Sequence, residues 1–181
     1  MSKDYLDLKQ FIRTVDDFPI SSIEFRDITS LIENPKAFVK TCNELTKITK
    51  NFRADIVTSI ESRGFIFAAT IARDLNLPFV LARKPGKLPN ETFKKSFNLE
   101  YGSTSIEIQK NTKINKDHKI IIVDDLVATG GTALACAEIF LENFNIMKSN
   151  ILILSVIDLP DLGGSKKIID KGLHIKTLME F

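Results

Sequence analysis

Residues 120 to 132 read IIIVDDLVATGGT, and no other stretch constrains the fold as strongly. Ile120, Ile121, Ile122 and Val123 are four consecutive β-branched apolar residues, the pattern of a parallel strand buried on both faces. Two carboxylates, Asp124 and Asp125, close the run. Ala128, Thr129, Gly130, Gly131 and Thr132 follow, and then Leu134, Ile139 and Phe140 in a helical pattern. A small Gly-rich turn at a helix start presents backbone N–H groups and a positive dipole end to an anion. The two threonines add hydroxyl donors. The turn can therefore hold a phosphate while the aspartates hold a polyol beside it, as a sugar phosphate requires. The plainer alternative is a solvated strand-to-helix turn. Neither GxxxxGK(S/T) nor GxGxxG occurs, so the commonest other phosphate-cradling loops are absent.

A chain of 181 residues suits one domain, large enough for a real core. Its 44% hydrophobic content and net charge of +2 describe an ordinary globular protein and give no reason to expect nucleic acid as partner. No 18-residue apolar run exists, and MSKDYLDLKQ lacks a signal-like apolar core, so the expectation is a cytoplasmic protein with no membrane partner. Cys42 and Cys136 lie in helical patterns and read as small buried residues. His118 and His174 are isolated from any metal-ligand cluster and read as structural or surface residues.

The rest of the chain alternates strands and helices. Asn34-Pro35 starts a helix over 34–50, with Phe38, Val39, Cys42, Leu45 and Ile48 at helical spacing. Strands are expected at Asp55–Ile60, Phe79–Ala82, 120–123, Ile151–Ile157 and Ile175–Leu178. Helices are expected at Phe65–Leu75, after the Gly-rich turn, and at Leu162–Ile169. The alternation implies an α/β fold with a mainly parallel central sheet flanked by helices. Ligands should collect beyond the carboxyl ends of its strands, where ESRG, VDDLVATGGT and IDLPDLGG all lie. Residues 83–104 break the pattern. They carry two prolines, two glycines and the cations Arg83, Lys84, Lys87, Lys94 and Lys95. A long polar connection in a compact domain is usually functional or disordered. The expectation is a mobile lid meeting an anionic substrate, with a solvated surface hairpin as the alternative.

The 120–132 segment resembles the phosphoribosyl pyrophosphate (PRPP) motif of type I phosphoribosyltransferases. FPISSIEFRDITSLIENP (18–35), ESRGFIF (61–67), ARKPGKLPNET (82–92), LEYG (99–102), IEIQK (106–110) and DLPDLGG (158–164) extend the resemblance to adenine phosphoribosyltransferases, from about residue 18 onward. It implies a single domain over 1–181 in the type I fold, with a base-recognition segment at about 18–35 and a lid at about 83–104. It implies transfer of the phosphoribosyl group from PRPP to adenine, giving AMP and pyrophosphate, with Mg2+ bound mainly through PRPP or pyrophosphate oxygens. A homodimer is implied by resemblance alone.

Residue by residue, Ala128, Thr129, Gly130, Gly131 and Thr132 should cradle the 5′-phosphate, and Asp124 and Asp125 the ribose hydroxyls. Ser62, Arg63, Arg83 and Lys87 should surround the pyrophosphate, and Arg63 and Glu100 should serve catalysis, Glu100 as acid/base. Phe25 and Leu159 should sandwich the purine. The Glu24 carbonyl and the Arg26 N–H should read its 6-amino group and N1. From the residues alone, Phe25 and Leu159 read more often as core, Arg26-Asp27 equally as a local ion pair, and Glu100 has the alternative of an ordinary loop carboxylate. Two positions depart from the family pattern. Ser59 replaces a usual glycine and should crowd the strand end before Arg63. Glu24 replaces a usual apolar residue. Two alternative readings stay open: a phosphoribosyltransferase for guanine, xanthine or hypoxanthine, and a PRPP-sensing regulator on the same fold.

Overall fold

A computed structural model describes residues 6–98 and 103–181. α1 (Leu6–Lys9) leads into an antiparallel ribbon, β1 (Arg13–Val15) against β2 (Phe25–Asp27). α2 (Thr29–Glu33) and α3 (Pro35–Phe52) follow. The Asn34 side chain caps α3 by accepting from the N–H groups of Lys36 and Ala37, and Pro35 sits at a first-turn position that needs no donor. Next come β3 (Ile56–Ile60), α4 (Gly64–Leu75) and β4 (Phe79–Ala82), then β5 (Thr92–Asn98) and β6 (Ser103–Gln109). β7 (Ile120–Val127), α5 (Gly131–Asn143), β8 (Ile151–Asp158), α6 (Gly164–Asp170) and β9 (His174–Glu180) complete the chain.

Five strands form one parallel sheet in the order β4-β3-β7-β8-β9. The continuous apolar runs arise because both faces are covered. Ile121, Val123, Leu152 and Leu154 pack with Leu45 of α3 and Phe67 and Ile71 of α4. Ile120, Ile122, Ile151 and Ile153 pack on the other face with Ile139 and Phe140 of α5 and Ile168 of α6. Each such side chain contributes about 1.5–3 kcal/mol when fully buried.

Two expectations change. The strand carrying the aspartates does not close at Asp124 but runs on to Val127. β8 is equally long and keeps pairing, from Asp124↔Ser155 to Val127↔Asp158. On the other side, pairing of β7 with β3 ends at Ser59↔Val123. Asp124 and Asp125 therefore stand past the end of one neighbour and beside the other. Residues 83–104 are also not irregular throughout. Thr92–Asn98 pairs with Ser103–Gln109 as an antiparallel hairpin. It packs on α5: the Phe93 and Phe144 rings meet edge-on at 5.3 Å, and Lys95 Nζ lies 3.1 Å from Glu138 Oε2 and 2.5 Å from Glu142 Oε1. Phe93, Lys95 and Phe97 alternate with Lys94 and Ser96, a period-2 pattern hidden by the charged residues.

Candidate active site

The Gly-rich turn at 128–132 follows directly from the sheet. β7 ends at Val127, and α5 begins at Gly131 behind Gly130, whose φ of 73° is left-handed. A Cβ on Gly130 would lie 2.9 Å from the Gly164 carbonyl oxygen, and one on Gly164 would lie 2.2 Å from that of Ala128. The 128–132 turn and the start of α6 thus touch backbone to backbone. No side chain caps α5, so its first N–H groups and dipole stay available to an anion.

Beside the turn, a cleft of ≈ 510 Å³ is lined by Glu61, Ser62, Arg63, Lys84, Asp124, Asp125 and Thr132, with Phe97, Thr104 and Ser105 from the hairpin. Asp125 is buried, and Asp124 is enclosed by neighbouring atoms while part of its surface reaches the cleft. The Asp124 Oδ1 accepts the N–H of Asp125 at 2.9 Å. Arg63 Nε approaches Asp125 Oδ2 to 2.8 Å as an ion pair, off the axis of a hydrogen bond. Burial pushes the Asp124 carboxyl well above the ordinary aspartate value, and the adjacent Asp125 charge adds to the rise. Burial raises Asp125 as well, against the opposing Arg63 charge. Cys136, fully buried behind the pair, has its thiol pushed up by burial and is an inert packing residue.

Arg63 also reaches the β1–β2 ribbon. Its Cζ lies 5.3 Å from the centre of the Phe25 ring, against which Phe18 packs edge-on at 5.0 Å. Phe25 is therefore not core but half-buried beside the cleft cation. Arg26 does not pair with Asp27. Its guanidinium donates to Glu24 Oε2 at 2.7 Å and to Thr14 Oγ1, while Asp27 pairs with Arg13 and accepts from the N–H and hydroxyl of Thr29. The exposed Glu24 side chain is thus held by Arg26.

A family model described as the phosphoribosyl transferase domain matches residues 29–172. The chain is 42% identical over 179 residues to the adenine phosphoribosyltransferase of Pelagibacter ubique, covering 97% of this chain and 98% of that one. The chain belongs to the adenine phosphoribosyltransferase family. It is accordingly an enzyme of the glycosyltransferase class. Its fold matches the crystal structure of the Thermoanaerobacter pseudethanolicus enzyme with TM-score 0.88 and 38% identity, covering 98% of this chain and 99% of that one. The Giardia lamblia enzyme complexed with 9-deazaadenine matches with TM-score 0.90 and 33% identity, covering 100% and 98%.

Set against the family resemblance, the structure gathers Ser62, Arg63, Asp124, Asp125 and Thr132 around one cleft, with the rest of the 128–132 turn adjoining. It directs Arg83 elsewhere: Arg83 Nε donates to Glu61 Oε2 at 2.8 Å, and another guanidinium nitrogen donates to the Lys87 carbonyl. Lys84, not Arg83, lines the cleft, and Lys87 is exposed on the loop. Leu159 packs against the same apolar cluster as Phe181, and its N–H donates to the Val127 carbonyl at 3.0 Å. Glu100 lies outside the described residues.

Sequence reasoning missed Glu61 and Glu107. Glu61 also accepts from the Lys84 N–H at 3.1 Å, and Glu107 accepts from the Gly86 N–H at 3.3 Å, so two carboxylates fix the RKPG loop. An acidic residue at a strand end ahead of a cationic loop was the available signal for Glu61. Ser59 does not crowd the strand end. Its hydroxyl donates to the Val123 carbonyl at 2.7 Å, and Gly64 makes room, since a Cβ there would lie 2.5 Å from Ser59 Oγ.

Proposed function

We propose that the protein transfers the 5-phosphoribosyl group of PRPP to adenine, giving AMP and pyrophosphate in purine salvage. The observation that carries this reading is Arg63, which pairs with a ribose-side carboxylate and lies over the ring of Phe25 on the purine side. The uncapped turn at 128–132 would hold the 5′-phosphate through backbone N–H groups and the Thr132 hydroxyl. Asp124 and Asp125, once ionised, would accept hydrogen bonds from the ribose hydroxyls and favour the positive charge that builds on the ring. Ser62, Arg63 and Lys84 would receive the departing pyrophosphate, with Lys87 closing from the loop and Arg83 holding that loop through Glu61.

Adenine would enter beside Phe25, with Leu159 as the opposite wall. Its 6-amino group would donate to the Glu24 carbonyl, and its N1 would accept the Arg26 N–H. Attack through N9 releases a proton, which we assign to Glu100. Residues 18–35 act as the base-recognition segment. The lid is confined to 83–91 and 99–102, because β5 and β6 are packed on α5. Its closure would exclude water, which otherwise hydrolyses the activated sugar.

The residues present fit a magnesium ion carried by the substrate. Among the described residues no three His, Cys, Asp or Glu side chains form a cage, while Asp124 and Asp125 border the cleft where PRPP oxygens would lie. When bound, Mg2+ neutralises charge on the leaving pyrophosphate. A homodimer is proposed on family resemblance. A cytoplasmic setting accords with the lack, among the described residues, of any helix long and apolar enough to cross a membrane.

The test is incubation with PRPP, Mg2+ and adenine, following AMP and pyrophosphate together. Stoichiometric appearance of both is expected. Absence of nucleotide with every purine would favour a PRPP-sensing role instead.

A further inference from the structure

We infer that Phe181 is a positioning residue for purine recognition, holding both walls of the base slot from behind. The inference rests on the reading of Phe25 and Leu159 as those walls.

β1 and β2 are three residues each, and a two-stranded ribbon of that length does not hold its own position. Side chains alternate along a strand, so Phe25 and Arg26 project to opposite faces of β2. Phe25 meets Arg63 of the cleft at the front. Arg26 reaches back to Phe181, whose ring centre is 5.1 Å from its Cζ. The same ring carries Lys9 Nζ at 5.0 Å. Thr14 and Glu24 accept from the two terminal nitrogens of Arg26, which anchors the guanidinium beside the ring.

Phe181 is tied to the other wall through the main chain. Its N–H donates to the Asp158 carbonyl at 3.0 Å, and Asp158 immediately precedes Leu159. Phe181 and Leu159 also pack into the same apolar cluster. One ring therefore joins the back of the purine-reading strand to the segment bearing the opposite wall. Phe181 is not among the residues that line the cleft. Its effect should fall on adenine and not on PRPP.

Kinetics of Phe181→Ala, Phe181→Leu and Phe181→Tyr, each with both substrates varied, test this. A partly shielded cation–π contact implies a rise of roughly 5- to 20-fold in the KM for adenine in Phe181→Ala. The KM for PRPP and kcat should stay within about twofold of the parent, since neither contact is in the cleft. Phe181→Leu keeps apolar packing without the ring face and should also show the selective rise, so it serves if Phe181→Ala does not fold. Phe181→Tyr should restore the parent value. An unchanged adenine KM in a folded Phe181→Leu protein, or an equal rise in both KM values, would overturn the inference while leaving AMP synthesis intact. A parent protein that makes no AMP would overturn the functional reading and this inference together.

Discussion

The proposed sugar-phosphate side of the cleft is made of backbone at the centre of the sheet, whereas the proposed purine side hangs on side chains around a three-residue strand. β7 delivers the aspartates and the glycine turn within one short segment, and the turn is locked against Gly164 with no room for a Cβ. The purine side needs Arg26 gripped by Glu24, Thr14 and Phe181, and Phe25 capped by Arg63, all from separate parts of the chain. The first construction tolerates almost no change at its glycines. The second should be adjustable in small steps. Arg63 touches both, so changes on either side should remain separable except at that residue.

The largest expected effect lies on neither side but at the proton. Glu100→Gln keeps size and hydrogen bonding but removes the proposed base, and turnover should fall by about 10²–10⁴-fold with PRPP affinity little changed. Single-turnover kinetics would check this, and a parent-like chemical step would show that the proton leaves by another route.

Next in size is the turn. Gly130→Val places a β-branched residue at φ 73° and against Gly164, which should cost about 1–3 kcal/mol of stability from the backbone alone. PRPP affinity, measured by calorimetry, should fall by about 10²-fold with the loss of aligned backbone donors. Gly131→Val, at a helical position one residue on, should strain the backbone less. Equal damage from the two would show that the left-handed residue is not what shapes the turn.

A smaller change of opposite sign is expected at the aspartates. Both carboxyls titrate higher in the folded protein than when unfolded, so their stabilising contribution is complete below the unfolded value and is lost as pH rises through the raised folded values. Asp124→Asn should therefore melt higher than the parent at pH 8, by about 0.5–2 kcal/mol, and the gain should shrink as pH falls into the range where Asp124 is protonated. The same substitution should weaken PRPP binding, because we propose that the ionised pair accepts the ribose hydroxyls. PRPP affinity of the parent should likewise decline with acidification through that window. A gain in stability with no loss of PRPP affinity would separate the pair from ribose binding.

The same contrast explains what was legible in the sequence. The parallel sheet, its helices and the anion turn could be read because each is encoded locally, in apolar runs, caps and glycines within a dozen residues. The hairpin at 92–109 was obscured because Lys94, Lys95 and Glu107 mask its alternation, and only the pairing of Lys95 with Glu138 and Glu142 shows why a cation faces inward. The roles of Glu61 and Glu107 as anchors of the RKPG loop depend on partners more than twenty residues away. Phe181 carries no motif and is visible only once β9 lies beside β8.

The smallest effect concerns the lid. Proteolysis in the presence of PRPP and Mg2+ should slow within 83–91 and 99–102 and remain unchanged within Thr92–Asn98, which is already packed on α5. Protection spread evenly over 83–104 would mean the whole segment closes.

The central claim is that base selectivity resides on the purine side and that the phosphate turn is blind to the base. It is tested most directly by offering adenine and hypoxanthine together, with PRPP and Mg2+, to the parent and to Gly130→Val, and measuring the ratio of AMP to IMP. Hypoxanthine would leave two polar groups unpaired at roughly 1–3 kcal/mol each, so AMP should exceed IMP by about 10²-fold or more. The ratio should be the same in Gly130→Val even as both products fall. Comparable AMP and IMP from the parent, or a ratio that collapses in Gly130→Val, would contradict the account.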